Sequence, residues 1–261
     1  SMRLAIMRPA DRLDGSIALA RSMDFETVAA SPLAIVPNDD ADTRRLMEAL
    51  KLGEVDHAVI TSSTGVSSIL ELGRSCDVDM IGMLNRCRVT AIGPSTARAM
   101  TAAGIRVDMM PEEYTSAGLV NMLTSMNVSG RTVGLLRSDH GDPVLVTGLR
   151  EAGASVLEAA VYRLVPRPED EGLAALVQEA LDGNVDAFAF PSALTAATFI
   201  EAAELMGVRD QIIAMLNERL VAAIGRPTRR KLESMGVRVE VMPEQATFIA
   251  MLVAIVGYRA R

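Results

Sequence analysis

The sequence has few of the residues that most metal, redox and triad enzymes depend on. It holds two histidines, His57 and His140, far apart in the chain, and two cysteines, Cys76 and Cys87. A histidine-based zinc site or a Ser-His-Asp triad is hard to assemble from that stock. The cysteines lack metal-ligand spacing, so a reduced, cytoplasmic chain without metal is expected. Tryptophan is absent and aromatics make up 3% of residues, which leaves aliphatic cores with sixteen methionines as filler. The net charge of −7 argues against a broad basic nucleic-acid face, although a local basic cleft is compatible with it. The longest apolar run, "FIAMLVAIVGY", is too short to cross a bilayer. No Walker loop occurs and no G-x-G-x-x-G follows a strand. The acidic stretch "RSDHGDPVL" (137–145) lacks calcium-loop spacing, and its Asp139 and Asp142 read as flanking or capping the next helix.

What the chain does have is alternation and repetition. Short β-like runs at 4–7, 27–36, 57–61, 88–92 and 106–110 are followed by a second set at 132–137, 155–165, 186–190, 219–224 and 237–242, with amphipathic stretches between. Apolar strands separated by helices predict parallel sheets covered on both faces. Residues 92–115 and 224–247 match without a gap at an offset of 132, identical at 11 of 24 positions. Weaker matches pair "HAVITSST" (57–64) with "AFAFPSAL" (187–194), and "LAIMRP" (4–9) with "VGLLRS" (133–138). The chain therefore reads as two diverged copies of one βα array of five strands each, split near residue 128. Five parallel strands per copy suggest flavodoxin-like, doubly wound sheets. The long runs 27–36 and 155–165 are marked by Pro32, Pro37, Pro166 and Pro168 at equivalent places. They read as inter-domain connections or as edge strands.

The repeated element "VTAIGPSTARAM" is a strand, a tight turn at Gly93, Pro94 at a first helical position and Ser95 or Thr96 as cap. Such a helix start suits an anion, while plain capping explains one copy equally well; two copies favour a ligand. "VITSSTGV" ends a strand on Thr61, Ser62 and Ser63, and its counterpart "FAFPSAL" keeps Ser192 but has Pro191. Arg8 and Arg137 close the first strand of each copy, where an anion contact or a surface salt bridge fits. Tyr162 is one of three tyrosines and could donate a hydrogen bond or proton, or simply pack in a strand.

In order and spacing these segments resemble the uroporphyrinogen-III synthase family. The resemblance rests on "VTAIGPSTARAMTAAGI", "VAAIGRPTRRKLESMGV", "AVITSSTGV", "AFAFPSALTAATF", "LAIMRP" and "GASVLEAAVYRLVPRP", and covers essentially the whole chain. It implies two flavodoxin-like domains joined by two connecting strands, with residues 1–34 and 166–261 in one, 37–162 in the other, and crossings near 31–37 and 161–168. It further implies a monomeric lyase of tetrapyrrole biosynthesis, without cofactor or metal, acting on no nucleic acid or membrane. That enzyme would cyclise linear hydroxymethylbilane with inversion of ring D through a spiro intermediate. The resemblance makes Tyr162 the catalytic candidate. It makes Thr61, Ser62, Ser95, Thr96, Ser192 and Thr228 substrate contacts, and with the positions read above, Arg8, Ser63, Gly93, Ser116, Arg137 and Ser138 complete the substrate-binding candidates. Departures are Arg226-Pro227 in the second turn and Pro191, each altering donors. A non-catalytic tetrapyrrole or anion sensor of the same fold is the competing expectation.

Overall fold

A computed structural model describes residues 1–261. The chain divides into two compact units, Ser1–Ile35 with Val165–Arg261 (unit 1) and Val36–Leu164 (unit 2). Unit 1 contains β1 (Arg3–Met7), α1 (Ala10–Ser22) and β2 (Glu26–Ala30). The chain leaves it through β3 (Leu33–Pro37). Unit 2 then holds α2 (Ala41–Lys51), β4 (His57–Ile60), α3 (Ser63–Cys76), α4 (Met80–Leu84), β5 (Arg88–Ala91), α5 (Pro94–Ala102), α6 (Ser116–Ser125), β6 (Thr132–Ser138) and α7 (Pro143–Glu151). The return is β7 (Ser155–Pro166). Unit 1 finishes with α8 (Glu171–Leu181), β8 (Ala187–Phe190), α9 (Ala193–Leu205), α10 (Arg209–Leu216), β9 (Leu220–Ala223), α11 (Arg226–Ser234) and α12 (Phe248–Arg259). No helix is long and apolar enough to cross a membrane.

The sheet of unit 1 runs β2-β1-β8-β9, all parallel, and an isolated bridge between Ala222 and Val241 extends it past β9. Counted along the chain this is the flavodoxin-like order 2-1-3-4-5. The sheet of unit 2 runs β3-β7-β6-β4-β5, with a bridge between Thr90 and Met109 beyond β5. From β7 onward it has the same order if counting begins at β6 rather than β4. The two units thus share one arrangement with the chain cut at different places. Strands β4 (HAVI) and β8 (AFAF) are buried at every position, as sheets covered on both faces require.

Three strand expectations need correcting. Residues 106–110 and 237–242 do not form full strands, because a side chain takes over part of each ladder. Val89 N donates to Asp108 Oδ2 at 2.8 Å, and Val221 N donates to Glu240 Oε2 at 2.8 Å. Arg106 and Arg238 bind those carboxylates, at 2.6 and 2.8 Å, and their own N–H groups donate to Asn85 and Asn217. The duplication therefore survives as matched side-chain hydrogen bonds. The run 27–36 is two strands, not one, broken at Ser31–Pro32, where proline has no N–H to offer a ladder.

The cores differ in filling. Phe188, Phe190 and Phe199 cluster in unit 1 with ring centroids 5.8 to 6.5 Å apart. In unit 2, one core cluster joins Val59, Leu119, Leu123, Val133, Leu135, Leu145 and Leu149, all aliphatic.

Candidate functional site

Where strand order reverses in a doubly wound sheet, neighbouring connections leave on opposite faces and open a crevice at the carboxyl edge. In unit 1 that point lies between β1 and β8, and in unit 2 between β6 and β4. Arg8 and Ser192 follow the first pair. Ser138, Thr61 and Ser62 end or follow the second.

In unit 2 the edge is built around Ser62. Its Oγ accepts Gly65 N at 3.0 Å and so caps α3. The same oxygen lies 2.6 Å from the hydroxyl of Tyr162. Tyr162 reaches it because of an irregularity in β7. Arg137 pairs with Ala160, but Ser138 pairs with Tyr162, so β7 carries one extra residue there. Strict alternation would put Tyr162 on the face of Glu158 and Ala160. The bulge instead leaves Val161 and Tyr162 buried in succession, 3% and 4% exposed. Ser63 Oγ lies 3.0 Å from Ser95 Oγ, joining the starts of α3 and α5.

The turn at Gly93 corrects the capping expectation. Gly93 itself is the N-cap of α5 and makes no side-chain cap bond, with Pro94 next. Neither Ser95 nor Thr96 caps; Thr96 is turned inward, 3% exposed. A Cβ on Gly93 would stand 3.4 Å from Tyr114, so the turn packs closely on the segment that leads to α6. Thr115 caps α6 by accepting Gly118 N at 3.0 Å, which places Ser116 at the first helical position.

Arg137 is committed elsewhere. Its side chain is 3% exposed, donates to Asp142 O at 3.0 Å and lies 3.3 Å from Glu158. Gly141 packs on the guanidinium so tightly that any Cβ would collide with it. Asp142 caps α7 through Val144 N, and Asp139 accepts Leu164 N. Ser138 Oγ accepts His140 N at 3.2 Å. A polar cavity of about 380 Å³, lined by Asp40, Asp42, Asp139, Glu158, Arg45 and Arg150, carries more carboxylates than arginines and suits no polyanion.

In unit 1 the equivalent parts are changed. Ser192 caps α9 by accepting Thr195 N at 3.0 Å and donates to Thr195 Oγ1 at 2.9 Å. Gly225 is the N-cap of α11, Arg226 and Pro227 follow, and Thr228 is 2% exposed. Thr247 caps α12 by accepting Ala250 N at 3.1 Å. Arg8 is half-buried, with its guanidinium carbon 4.6 Å from the ring centroid of Phe248. Burial, reinforced by the charge of Arg12 and opposed by Asp11, lowers its pKa to about 10, so it stays charged at neutral pH.

The structure thus brings Thr61, Ser62, Ser63, Ser95, Ser138 and Tyr162 to one edge in unit 2, and Arg8, Ser192 and the α11 start to the matching edge in unit 1. The threonine caps Thr115 and Thr247 and the ring of Phe248 were missed in the sequence. The last identical pair of the repeat, Thr115 and Thr247, was the available signal.

Comparison with known proteins agrees with this geometry. The family model described as uroporphyrinogen-III synthase HemD matches residues 15–253. A Methanothermobacter thermautotrophicus protein named "Putative uroporphyrinogen-III synthase" is 36% identical over 255 residues, covering 97% of this chain and 96% of the relative. The uroporphyrinogen-III synthase of Chlorobaculum parvum is 26% identical over 184 residues, covering 70% and 72%. A crystal structure of a mutant uroporphyrinogen III synthase from Thermus thermophilus superposes with a TM-score of 0.66 at 26% identity, covering 100% of this chain and 98% of that one. With a doubly wound edge in each unit and a family match along nearly its whole length, the chain belongs to the uroporphyrinogen-III synthase family.

Proposed function

We propose that the protein is a uroporphyrinogen-III synthase that cyclises hydroxymethylbilane to uroporphyrinogen III and releases water. The observation that carries this beyond family membership is the hydroxyl pair of Tyr162 and Ser62, 2.6 Å apart at the strand-order reversal of unit 2. The terminal hydroxyl of the substrate leaves as water and needs a proton or a strong hydrogen bond at that moment. Tyr162 supplies it. Ser62 Oγ already accepts Gly65 N, so its own hydrogen is available to the phenol oxygen as charge develops there. The azafulvene left behind is attacked by the substituted carbon of ring D, giving the spiro-pyrrolenine. The original methylene bond from ring C to that carbon then breaks, leaving an azafulvene on ring C. The other α-carbon of ring D closes onto that methylene, so ring D is inverted, and loss of its proton restores the pyrrole. Atoms balance as one substrate to one product and one water, with no net oxidation or reduction, so no redox cofactor is called for.

Eight carboxylates on the substrate meet a protein of net charge −7, so binding must be local rather than by a general field. Helix starts and small hydroxyls offer that. In this reading Thr61, Ser63, Ser95, Ser116, Ser138 and Ser192, with the backbone at Gly93, hold acetate and propionate arms. Thr96 and Thr228 contribute through their backbone, since their side chains are buried. Enzymatic control would lie mainly in holding ring D where the spiro carbon forms. The test is to supply hydroxymethylbilane and resolve the isomers after oxidation. Uroporphyrinogen III is expected; only the I isomer at the uncatalysed rate would overturn the assignment.

A further inference from the structure

The two copies of the βα array supply an internal control for the arginine that closes their first strand. In unit 2 Arg137 is enclosed, hydrogen-bonded to Asp142 and paired with Glu158. In unit 1 Arg8 occupies the matching place. The buried Nε of each arginine lacks a hydrogen-bond partner, but Arg8 also has no counterpart of the carbonyl contact and salt bridge that hold the rest of the Arg137 guanidinium. Its backbone is fixed by Arg8 N donating to Ala30 O at 3.2 Å, and its guanidinium rests on Phe248. Phe248 in turn sits 132 residues after Ser116, so this copy has a ring where the other has a hydroxyl.

We propose that Arg8, held on the ring of Phe248 at the strand-order reversal of unit 1, is a binding site for one carboxylate arm of the tetrapyrrole, which rests on the function proposed above. Three features support it. A guanidinium stacked on an aromatic face bonds through its edge, and with Nε buried the terminal pair of N–H groups is the edge that a carboxylate matches. A half-buried cation without a salt-bridge partner is costly to hold, and an arriving anion lowers that cost. Phe248 is also the first residue of α12, a twelve-residue helix whose positive end adds to the local field. Burial and the charge of Arg12 both disfavour its charged form, and Asp11 offsets them only in part.

The experiment uses the full chain and hydroxymethylbilane. Arg8→Gln is expected to raise KM roughly tenfold to hundredfold, as loss of a charge-assisted contact does, with a smaller change in kcat. Arg8→Lys should recover part of the loss, and Phe248→Leu should raise KM less than Arg8→Gln does. Arg3→Gln removes the same charge from the opposite end of β1 and should leave KM unchanged. An unchanged KM in folded Arg8→Gln, or an equal rise in Arg3→Gln, overturns the site. If the wild type forms only the I isomer, the catalytic reading fails, and uroporphyrin binding by fluorescence quenching then decides the site separately. Equal Kd for wild type and Arg8→Gln, or no binding by either, overturns it. Competition by millimolar inorganic phosphate as effective as that by carboxylated porphyrin would make it a general anion site and overturn the substrate assignment.

Discussion

Units 1 and 2 share a strand order and a set of matched hydrogen bonds, but they have been filled differently. Unit 1 has all five phenylalanines, three of them packed together, and the carboxyl edge of its sheet carries Pro191, Arg226, Pro227 and Phe248. Unit 2 keeps an aliphatic core and an edge of small hydroxyls, with Tyr162 delivered by a bulge. The lesson is that one duplicated scaffold carries two chemically different edges. The unit with prolines at its edge holds its arginine on a ring, while the unit with small hydroxyls encloses the equivalent arginine.

The largest expected effect tests the hydroxyl edge of unit 2. Tyr162→Phe should lower kcat by about 10²- to 10⁴-fold with KM nearly constant, read from initial rates. A kcat near wild type would reduce Tyr162 to packing. Next comes the aromatic core of unit 1: Phe199→Ala should cost about 3–5 kcal/mol by denaturant unfolding, because the site is fully buried among rings. The paired arginines should then separate. Arg137→Gln should lose about 1–3 kcal/mol, a figure reduced for the 40% exposure of Glu158, whereas Arg8→Gln should be neutral or stabilising. Equal Tm losses for the two would erase the contrast. Asn85→Ala and Asn217→Ala should each cost about 1–2 kcal/mol, since each amide fastens the residue after a turn in the same way; unequal losses would show that the matched bonds bear unequal load.

The smallest effect concerns pH. Burial depresses the pKa of His57, with Arg88 and Arg131 adding to the effect and Asp56 opposing it. Its counterpart in unit 1 is Ala187. The unfolded chain binds that proton more readily, so stability present above about pH 6.5 is lost as pH falls toward the lower folded value. His57→Gln should flatten the decline of Tm between pH 7 and 5, and an unchanged slope would remove His57 from the account.

Much of this was legible in the sequence because it rests on local chemistry. Apolar strands ending in Thr61-Ser62-Ser63 or Ser192 announce a strand-to-helix edge, and the 132-residue echo announces the duplication. The reduced fifth strands were not legible, since "RVDMM" and "VRVEVM" have strand-like content. Only the fold shows Asp108 and Glu240 substituting for ladder acceptors. The bulge that aims Tyr162 left only a faint mark: the exposed charges Glu158 and Arg163 stand an odd five residues apart, out of phase with strict alternation, in a run otherwise mostly apolar. The different fates of Arg8 and Arg137 depend on Gly141 and Phe248, which lie far off in sequence or bear on no periodicity.

The different cuts of one strand order also set the sequence of events during synthesis. Every strand of unit 2 from β4 to β7 leaves the ribosome in one stretch and can pair at once. The β1–α1–β2 segment of unit 1 is made first, but β1's other neighbour, β8, begins only at Ala187. A nascent apolar strand must therefore wait, one edge unpaired, while a whole neighbouring unit is made and folds. The early segment is where a trigger for aggregation, or a grip for a chaperone, would be expected in this chain.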